Sequence, residues 1–478
     1  MGGATFAYGA VILASPITSR LFDPKAFGLA ALFTSGAGIL GIIACLRYEM
    51  ALVLPKDDED AVPLFALCWI ALAGMTALTT IATWMFGADI LKLLNAEETI
   101  PYLWLFPVYV FLTAVEFPFR YWNTRHRRFG LVATGGVLKS VPVSISEIGG
   151  GLAGFVGGGH LIALRVFALI FSPMFLLWRL LRSDTRLIVK NITAERILKS
   201  AKEYAKFPLY DSWSALLNTA SWNISIILLA AFFGPAVGGL YSKAVYLLYL
   251  PALIIGQSVG QVFLQQSAAL KADGKNLAGL MEVVIHQMIT LGTFPFALVI
   301  IIGPEIFHFF LGARWAESGI YARLLTPWLF MILISASIRT LFGTIQKQEI
   351  NMISNVVLFG TRVISLVVGG MILKDVRLTL AIFTLPSALI ILWRCSYLMR
   401  AVALSRKSSL YHFMRCVAFS LPSILFIAAM KWGVGLGIAW LVVLGCVSSI
   451  PYAVLVLRHD PRLLGLFEKI WGKLRPAA

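Results

Sequence analysis

The sequence predicts an all-α membrane protein of about fourteen transmembrane helices. Three observations carry that reading. First, 59% of the 478 residues are hydrophobic and only 13% are charged, with a mean hydropathy of +0.85. A soluble chain carries about 25% charged residues, so much of this surface faces hydrocarbon. Second, the apolar runs are continuous and helix-length, unlike the weak alternating segments of a transmembrane β-barrel. Third, a skeleton recurs near half-length. Phe22, Pro24, Gly28 and Leu29 of RLFDPKAFGLAALF match Phe233, Pro235, Gly239 and Leu240 of AFFGPAVGGLYSKA, each displaced by 211 residues. Proline ends one helix, and glycine lets the next begin against a close neighbour. Such a unit suggests a duplicated bundle, and transporter repeats place the substrate site between the halves.

A hydrocarbon core about 30 Å thick needs about 20 apolar residues per helix. By that rule the first spans are 4–20, 28–54, 62–86, 102–122, 131–156 and 161–181. Pro55 and the acidic run Asp57 to Asp60 close the second, and NTRHRRFG follows the fourth. A basic connector, 182–206, leads to spans at 207–233, 238–270, 280–302, 321–345, 351–373 and 378–399, and two more at 416–431 and 434–457 end the membrane part. Within the connector TAERILKSAKEYAKFP reads as a surface amphipathic helix that Pro208 ends, as does LLGLFEKIWGKLR near the C-terminus; both suit anionic lipid.

The formal charge of +17 invites a nucleic-acid reading, but the distribution of the cations opposes it. Roughly 26 of the 40 Lys and Arg fall on alternate loops and helix ends, which is the positive-inside signal of a multi-spanning protein. Arg120, Arg125, Arg127, Arg128, the connector, Arg400, Arg406, Lys407 and the tail after Leu457 share that side, so it is cytoplasmic, and an even span count puts both termini there. Cys45, Cys68, Cys395, Cys416 and Cys446 are scattered through apolar runs and read as small apolar helix residues. The first apolar run has no basic leader and no small-residue cleavage site, so no cleavable signal peptide is expected.

Several stretches resemble one family: RLFDPKAFGLAALF, LRYEMALVLPKDDEDA, GLYSKAVYLLYLPALIIGQSVGQVFLQQSAA and FLGARWAESGIYARLLTPWLF. All are similar to bacterial polysaccharide flippases of the multidrug/oligosaccharidyl-lipid/polysaccharide exporter superfamily. The resemblance implies two six-helix bundles, here 1–182 and 207–400 joined by the connector 183–206, with two added helices and a basic tail in 401–478. It further implies alternating access in the inner membrane, with a polyprenyl-pyrophosphate-linked oligosaccharide moved from the cytoplasmic to the periplasmic leaflet in surface polysaccharide biosynthesis. Polymerase and chain-length components of an export system are the expected protein partners, and no cofactor is expected.

A diphosphate on a polyprenol cannot cross hydrocarbon unaided, and ionisable residues inside spans usually face a wet cavity. Arg47, Lys139, Arg165, Arg339 and Arg362 are the candidate interior cations; an Arg fork binds two phosphate oxygens at once. Arg47 lies about 12 Å along a helix from Pro55, and either lines the path or snorkels toward the cytoplasm. Glu49, two residues on, would point to another side and form no simple intrahelical bridge. Arg362 shares a face with Asn351 and Asn355. Asp211, Asn218, Trp222 and Ser225 form a stripe on the seventh span, and Gln257, Gln261 and Gln265 another on the eighth. Stripes of this kind either join helices or line a water-filled path. Glu49, Glu147 and Asp211 are the candidate coupling carboxylates, Lys139 and Glu147 share a stripe, and Glu116 pairs with Arg120 four residues on.

Signals of an enzyme or a metal site are missing: the six histidines show no ligand spacing, and the glycines at 149–151 and 157–159 precede no Walker lysine. Two rival functions remain, a multidrug antiporter, whose mostly cationic substrates an Arg-rich cavity would repel, and a membrane polymerase or glycosyltransferase, which needs a long catalytic loop. A non-transporting assembly factor is a third.

Overall fold

The computed structural model describes residues 2–272 and 276–459. No strand occurs among them, as expected of an all-α chain. Eleven helices among the described residues are long and apolar enough to cross a membrane, and they coincide with the third and the fifth to fourteenth expected spans. Of the other three expected spans one is a continuous helix and two are interrupted. The first lies within one continuous helix, Gly2–Leu21. The second is a helix only over Pro24–Gly41, followed by turns and a short helix Tyr48–Ala51. Leu46 and Arg47 there adopt left-handed backbone, φ 50° and 62°, through which a right-handed helix cannot run. The fourth divides into Leu105–Ala114 and Glu116–Arg125. Pro118 lacks the N–H that would reach the Ala114 carbonyl, and Cys45 Sγ donates to that carbonyl instead, at 3.9 Å.

The chain divides into two compact units, one of residues 1–242 with 362–376 and one of 243–361 with the residues from 377 on. In the first unit Asp23 caps the 24–41 helix, accepting from the Ala26 N–H at 2.7 Å, while Pro24 occupies the first turn, where its missing N–H costs nothing. Most of this helix is buried. The two copies of the repeated skeleton meet here. A Cβ on Gly28 would fall on the Pro235 carbonyl, and one on Gly239 would fall on the Pro24 carbonyl. Each glycine therefore receives the other copy's proline, the reciprocal pattern of a two-fold contact.

The other end of this unit is an aromatic core. Phe65, Phe119 and Trp122 pack on Tyr48 and Cys68, and Trp122 Nε1 donates to Asp184 Oδ2 at 2.8 Å. Arg128 forks onto the same carboxylate at 2.6 and 2.9 Å. Burial would raise the Asp184 carboxyl, but the hydrogen bonds from Arg128 and Trp122 outweigh it and hold the group below its ordinary 3.8. Arg125 ties down the 52–56 loop, donating to the Leu52, Pro55 and Lys56 carbonyls and pairing with Asp58. The connector forms the helix Ala194–Glu203, capped by the Thr193 hydroxyl, and Tyr48 Oη reaches its Ala201 carbonyl at 3.3 Å. The expected helix near the C-terminus lies outside the described residues.

The second unit is built on the hairpin of Ala278–Leu311 and Ala316–Ile338, whose backbones cross at Gly303 and Gly319 with no room for a side chain. Gly312, at φ 100°, makes the turn. The first helix of the hairpin kinks at Ile302, beside Pro304. The carbonyl of Ile301 is covered there by Arg323 Nη2 at 3.2 Å and Lys431 Nζ at 2.8 Å. Arg406–Ala429 and Ile438–His459 lie against the same helix, with Phe294 and Tyr452 stacked at 5.3 Å.

Candidate functional site

The break in the second expected span places its charged residues. On a continuous helix Arg47 and Glu49 would diverge, as the spacing rule says. Because Arg47 sits in the left-handed region, its guanidinium instead meets Glu49 Oε1 at 3.2 Å and Asp211 Oδ2 at 2.8 Å. The expectation that Arg47 and Glu49 form no bridge is thus corrected, and the physical reason is the interrupted helix. Asp211 stands at the end of a wider-than-α turn, Phe207–Asp211, that opens the Ser212–Phe233 helix. Glu49 is fully buried, whereas the Asp211 side chain is 40% exposed. Glu49 Oε2 has no hydrogen-bond partner among the described residues.

Two more of the candidate cations carry counter-charges in the same unit. Arg165 Nε donates to Glu147 Oε1 at 2.7 Å, and its guanidinium lies over the Phe27 ring at 5.6 Å. Lys139 pairs with Glu116 Oε2, and Glu116 Oε1 accepts from Ser172 Oγ at 2.6 Å. The expected Glu116–Arg120 pair is therefore replaced by one to Lys139, because the neighbouring helix brings a closer cation than the next turn does. Lys139 and Glu147 share one helix, yet each finds its counter-charge on a different neighbour.

Arg362 is 1% exposed. Its Nη1 donates to the Ser221 carbonyl at 3.0 Å and to the Ser221 hydroxyl at 3.2 Å, and its guanidinium lies over the Trp222 ring at 5.4 Å. The stripe of the seventh span is thus divided. Trp222 and buried Ser225 point into the unit, while Asn218 is exposed.

In the second unit Asn355 Oδ1 accepts from Arg394 Nη1 at 3.4 Å, and Ser335 Oγ accepts from Arg394 Nη2 at 2.8 Å. Asn351 Oδ1, one turn before Asn355, is buried with no partner among the described residues. Arg339 follows the Ala316–Ile338 helix and is exposed. The side chains of Gln257 and Gln261 lie outside the described residues; Gln265 is exposed. Arg394 is a buried cation that the sequence reading missed. The signal that could have found it is an Arg inside the expected span 378–399. No group of three or more His, Cys, Asp or Glu among the described residues could hold a metal ion.

Among solved structures the chain is similar to the lipid II flippase MurJ in an inward closed conformation, with 14% identity over 97% of this chain and 98% of that one and a TM-score of 0.75. It is also similar to an inward-facing multidrug resistance MATE family transporter of the MOP superfamily, with 14% identity over 82% and 95% of the two chains and a TM-score of 0.62. At these identities the likeness is one of fold. No curated protein matches the chain in sequence. A family model for polysaccharide biosynthesis proteins matches residues 17–319, more than half of the chain. This multi-pass membrane chain therefore belongs to the polysaccharide biosynthesis protein family and carries the fold of the multidrug/oligosaccharidyl-lipid/polysaccharide exporter superfamily.

Proposed function

We propose that the chain moves a polyprenyl-pyrophosphate-linked oligosaccharide from the cytoplasmic to the periplasmic leaflet of a bacterial inner membrane, by alternating access and driven by an ion gradient, with both termini cytoplasmic. Partners from polysaccharide polymerisation and export follow from the same reading. The observation that carries it is Arg47, on non-helical backbone inside an otherwise apolar run, held by two carboxylates. Irregular backbone at membrane depth is tolerated where it is buried in protein or lines a wet cavity, and broken helices mark transport sites.

The arrangement suits exchange of anions at one cation. Asp211 is the exposed partner of Arg47, so an arriving diphosphate displaces it and takes the planar fork. Glu49, buried and now sharing its counter-charge with the substrate, takes up a proton, because a carboxylate in an apolar site that loses its cation is disfavoured as an anion. Release of the diphosphate restores the Arg47 pairs and returns the proton. Within the same unit Arg362 supplies further positive field, while Trp222 and Asn218 suit sugar faces and hydroxyls.

Reconstituted vesicles carrying a labelled polyprenyl-pyrophosphate glycan, with and without a proton gradient, test this reading. Arg47→Ala removes two charge-assisted contacts and should slow translocation about 10- to 100-fold, with Arg362→Ala also impaired and both proteins still membrane-inserted. Wild-type translocation by both variants would refute the assigned path, and efflux of drug cations in place of glycan lipid would favour the antiporter.

A further inference from the structure

Five cations of the first unit and one of the second show two ways of balancing buried positive charge. In the first, Arg47, Lys139, Arg165, Arg125 and Arg128 each touch a carboxylate. In the second, the Arg394 guanidinium is 6% exposed and rests on two neutral oxygens, Ser335 Oγ at 2.8 Å and Asn355 Oδ1 at 3.4 Å. Arg339 brings a second positive charge one turn beyond Ser335, its backbone N–H donating to the Ser335 carbonyl at 3.0 Å. The described carboxylates of that unit are engaged elsewhere. Glu282 accepts from Ser408, Glu305 pairs with Lys431, Glu317 with Arg377 and Glu349 with Lys347. Burying a guanidinium with no counter-ion costs several kcal/mol, and neutral oxygens offset only part of that. An anion from outside the chain would supply the rest.

We propose that Arg394 and Arg339, with Ser335 and Asn355 orienting the buried fork, form a subsite for a phosphate-type anion within the second unit. The fork geometry selects planar pairs of oxygens, as on a phosphate or diphosphate. Serine and asparagine hold the plane of Arg394 without cancelling its charge. Exposed Arg339 is the group an incoming anion meets first, and buried Arg394 is where it is retained. On the proposed topology the helix carrying Arg394 ends seven residues later at the cytoplasmic face, about 10 Å away, so the subsite is loaded from the side where a lipid-linked sugar is assembled. Only that last assignment, the head group of a lipid-linked glycan, rests on the transport reading; the anion site does not.

The test uses the full chain in phosphatidylcholine nanodiscs and measures retention of radiolabelled polyprenyl diphosphate, inorganic pyrophosphate and phosphatidylglycerol. Arg394→Gln and Arg339→Gln should each weaken polyprenyl diphosphate binding about 10- to 100-fold, the loss of one or two charge-assisted bonds. Arg394→Lys should recover only part, since a point charge replaces the fork. Arg339→Gln, on an exposed side chain, keeps the test valid if Arg394→Gln does not fold. Equal binding of inorganic pyrophosphate, lost in the same variants, supports the subsite with the bare diphosphate as the recognised group. Loss confined to phosphatidylglycerol supports it with bulk anionic lipid as the source. Unchanged binding of all three probes in folded variants overturns it. Wild-type protein that loses pyrophosphate on mutation yet moves no glycan lipid would sink the transport reading and leave the subsite standing. Glycan transport by wild type, with binding unchanged in both variants, would do the reverse.

Discussion

Adding one methyl group at Gly28 tests whether the repeated skeleton is a packing device. A Cβ there would lie 2.5 Å from the Pro235 carbonyl carbon and 3.0 Å from the Gly239 nitrogen. Non-bonded carbons prefer about 3.5–4.0 Å and the Pro235 oxygen lies closer still, so the two backbones must part by more than about 1 Å. Overpacking of this kind costs about 1–3 kcal/mol, and the helix-propensity gain of Gly→Ala returns about 1 kcal/mol. Gly28→Ala should therefore lose up to about 2 kcal/mol net. Gly136 supplies the control, because a Cβ there meets nothing within 4 Å, so Gly136→Ala should gain up to about 1 kcal/mol. Gly239→Ala should cost what Gly28→Ala does, since its Cβ meets Gly28 N at 2.8 Å and the Pro24 carbonyl carbon at 3.0 Å. The double variant should cost less than the sum, because one separation of the backbones accommodates both methyl groups. Unfolding midpoints of the four proteins in one detergent measure the order. Gly28→Ala as stable as Gly136→Ala, or a strictly additive double variant, would refute the reciprocal crossing.

Two further outcomes follow from the ion pairs. Glu147→Gln leaves the Arg165 guanidinium, 2.7 Å away and largely buried, without its counter-charge. It should destabilise by about 3–5 kcal/mol, and Arg165→Met in the same chain should recover most of that; a Glu147→Gln midpoint equal to wild type would remove the pair from the account. Asp184 is held below its ordinary 3.8 in the folded chain, so the unfolded state binds the proton first. Its contribution to stability is present above about pH 4 and is lost as pH falls through the lower folded value. Arg128→Gln should flatten that acid limb, read from the fluorescence of the adjacent Trp122 during an acid titration, and an acid limb as steep as wild type would count against the clamp.

Much of the helical layout was legible without coordinates, because a bilayer leaves helices as the one solution for long apolar runs that do not alternate. The two spans that break do so for local backbone reasons. Pro118 was visible as a helix-perturbing residue, but nothing in CLRYEM announces that Leu46 and Arg47 take left-handed backbone. The site was legible as a set of residue types and largely illegible as a set of pairs. Arg47, Arg165 and Lys139 were readable as buried cations, whereas their carboxylates come from other helices, except Glu49, which a spacing rule for continuous helices had excluded. Arg394 sits seven residues from a helix end, where a long cation can snorkel, and only burial shows that this one does not.

By itself the sequence determined that this chain is helical, membrane-embedded, internally repeated and rich in interior cations, since hydropathy, period and repetition are carried by neighbours along the chain. Only the tertiary structure decided which cation meets which anion, which is left with neutral oxygens, and that the two Pro–Gly copies interlock. Those outcomes depend on Coulomb and contact forces a few ångströms long between residues up to hundreds of positions apart.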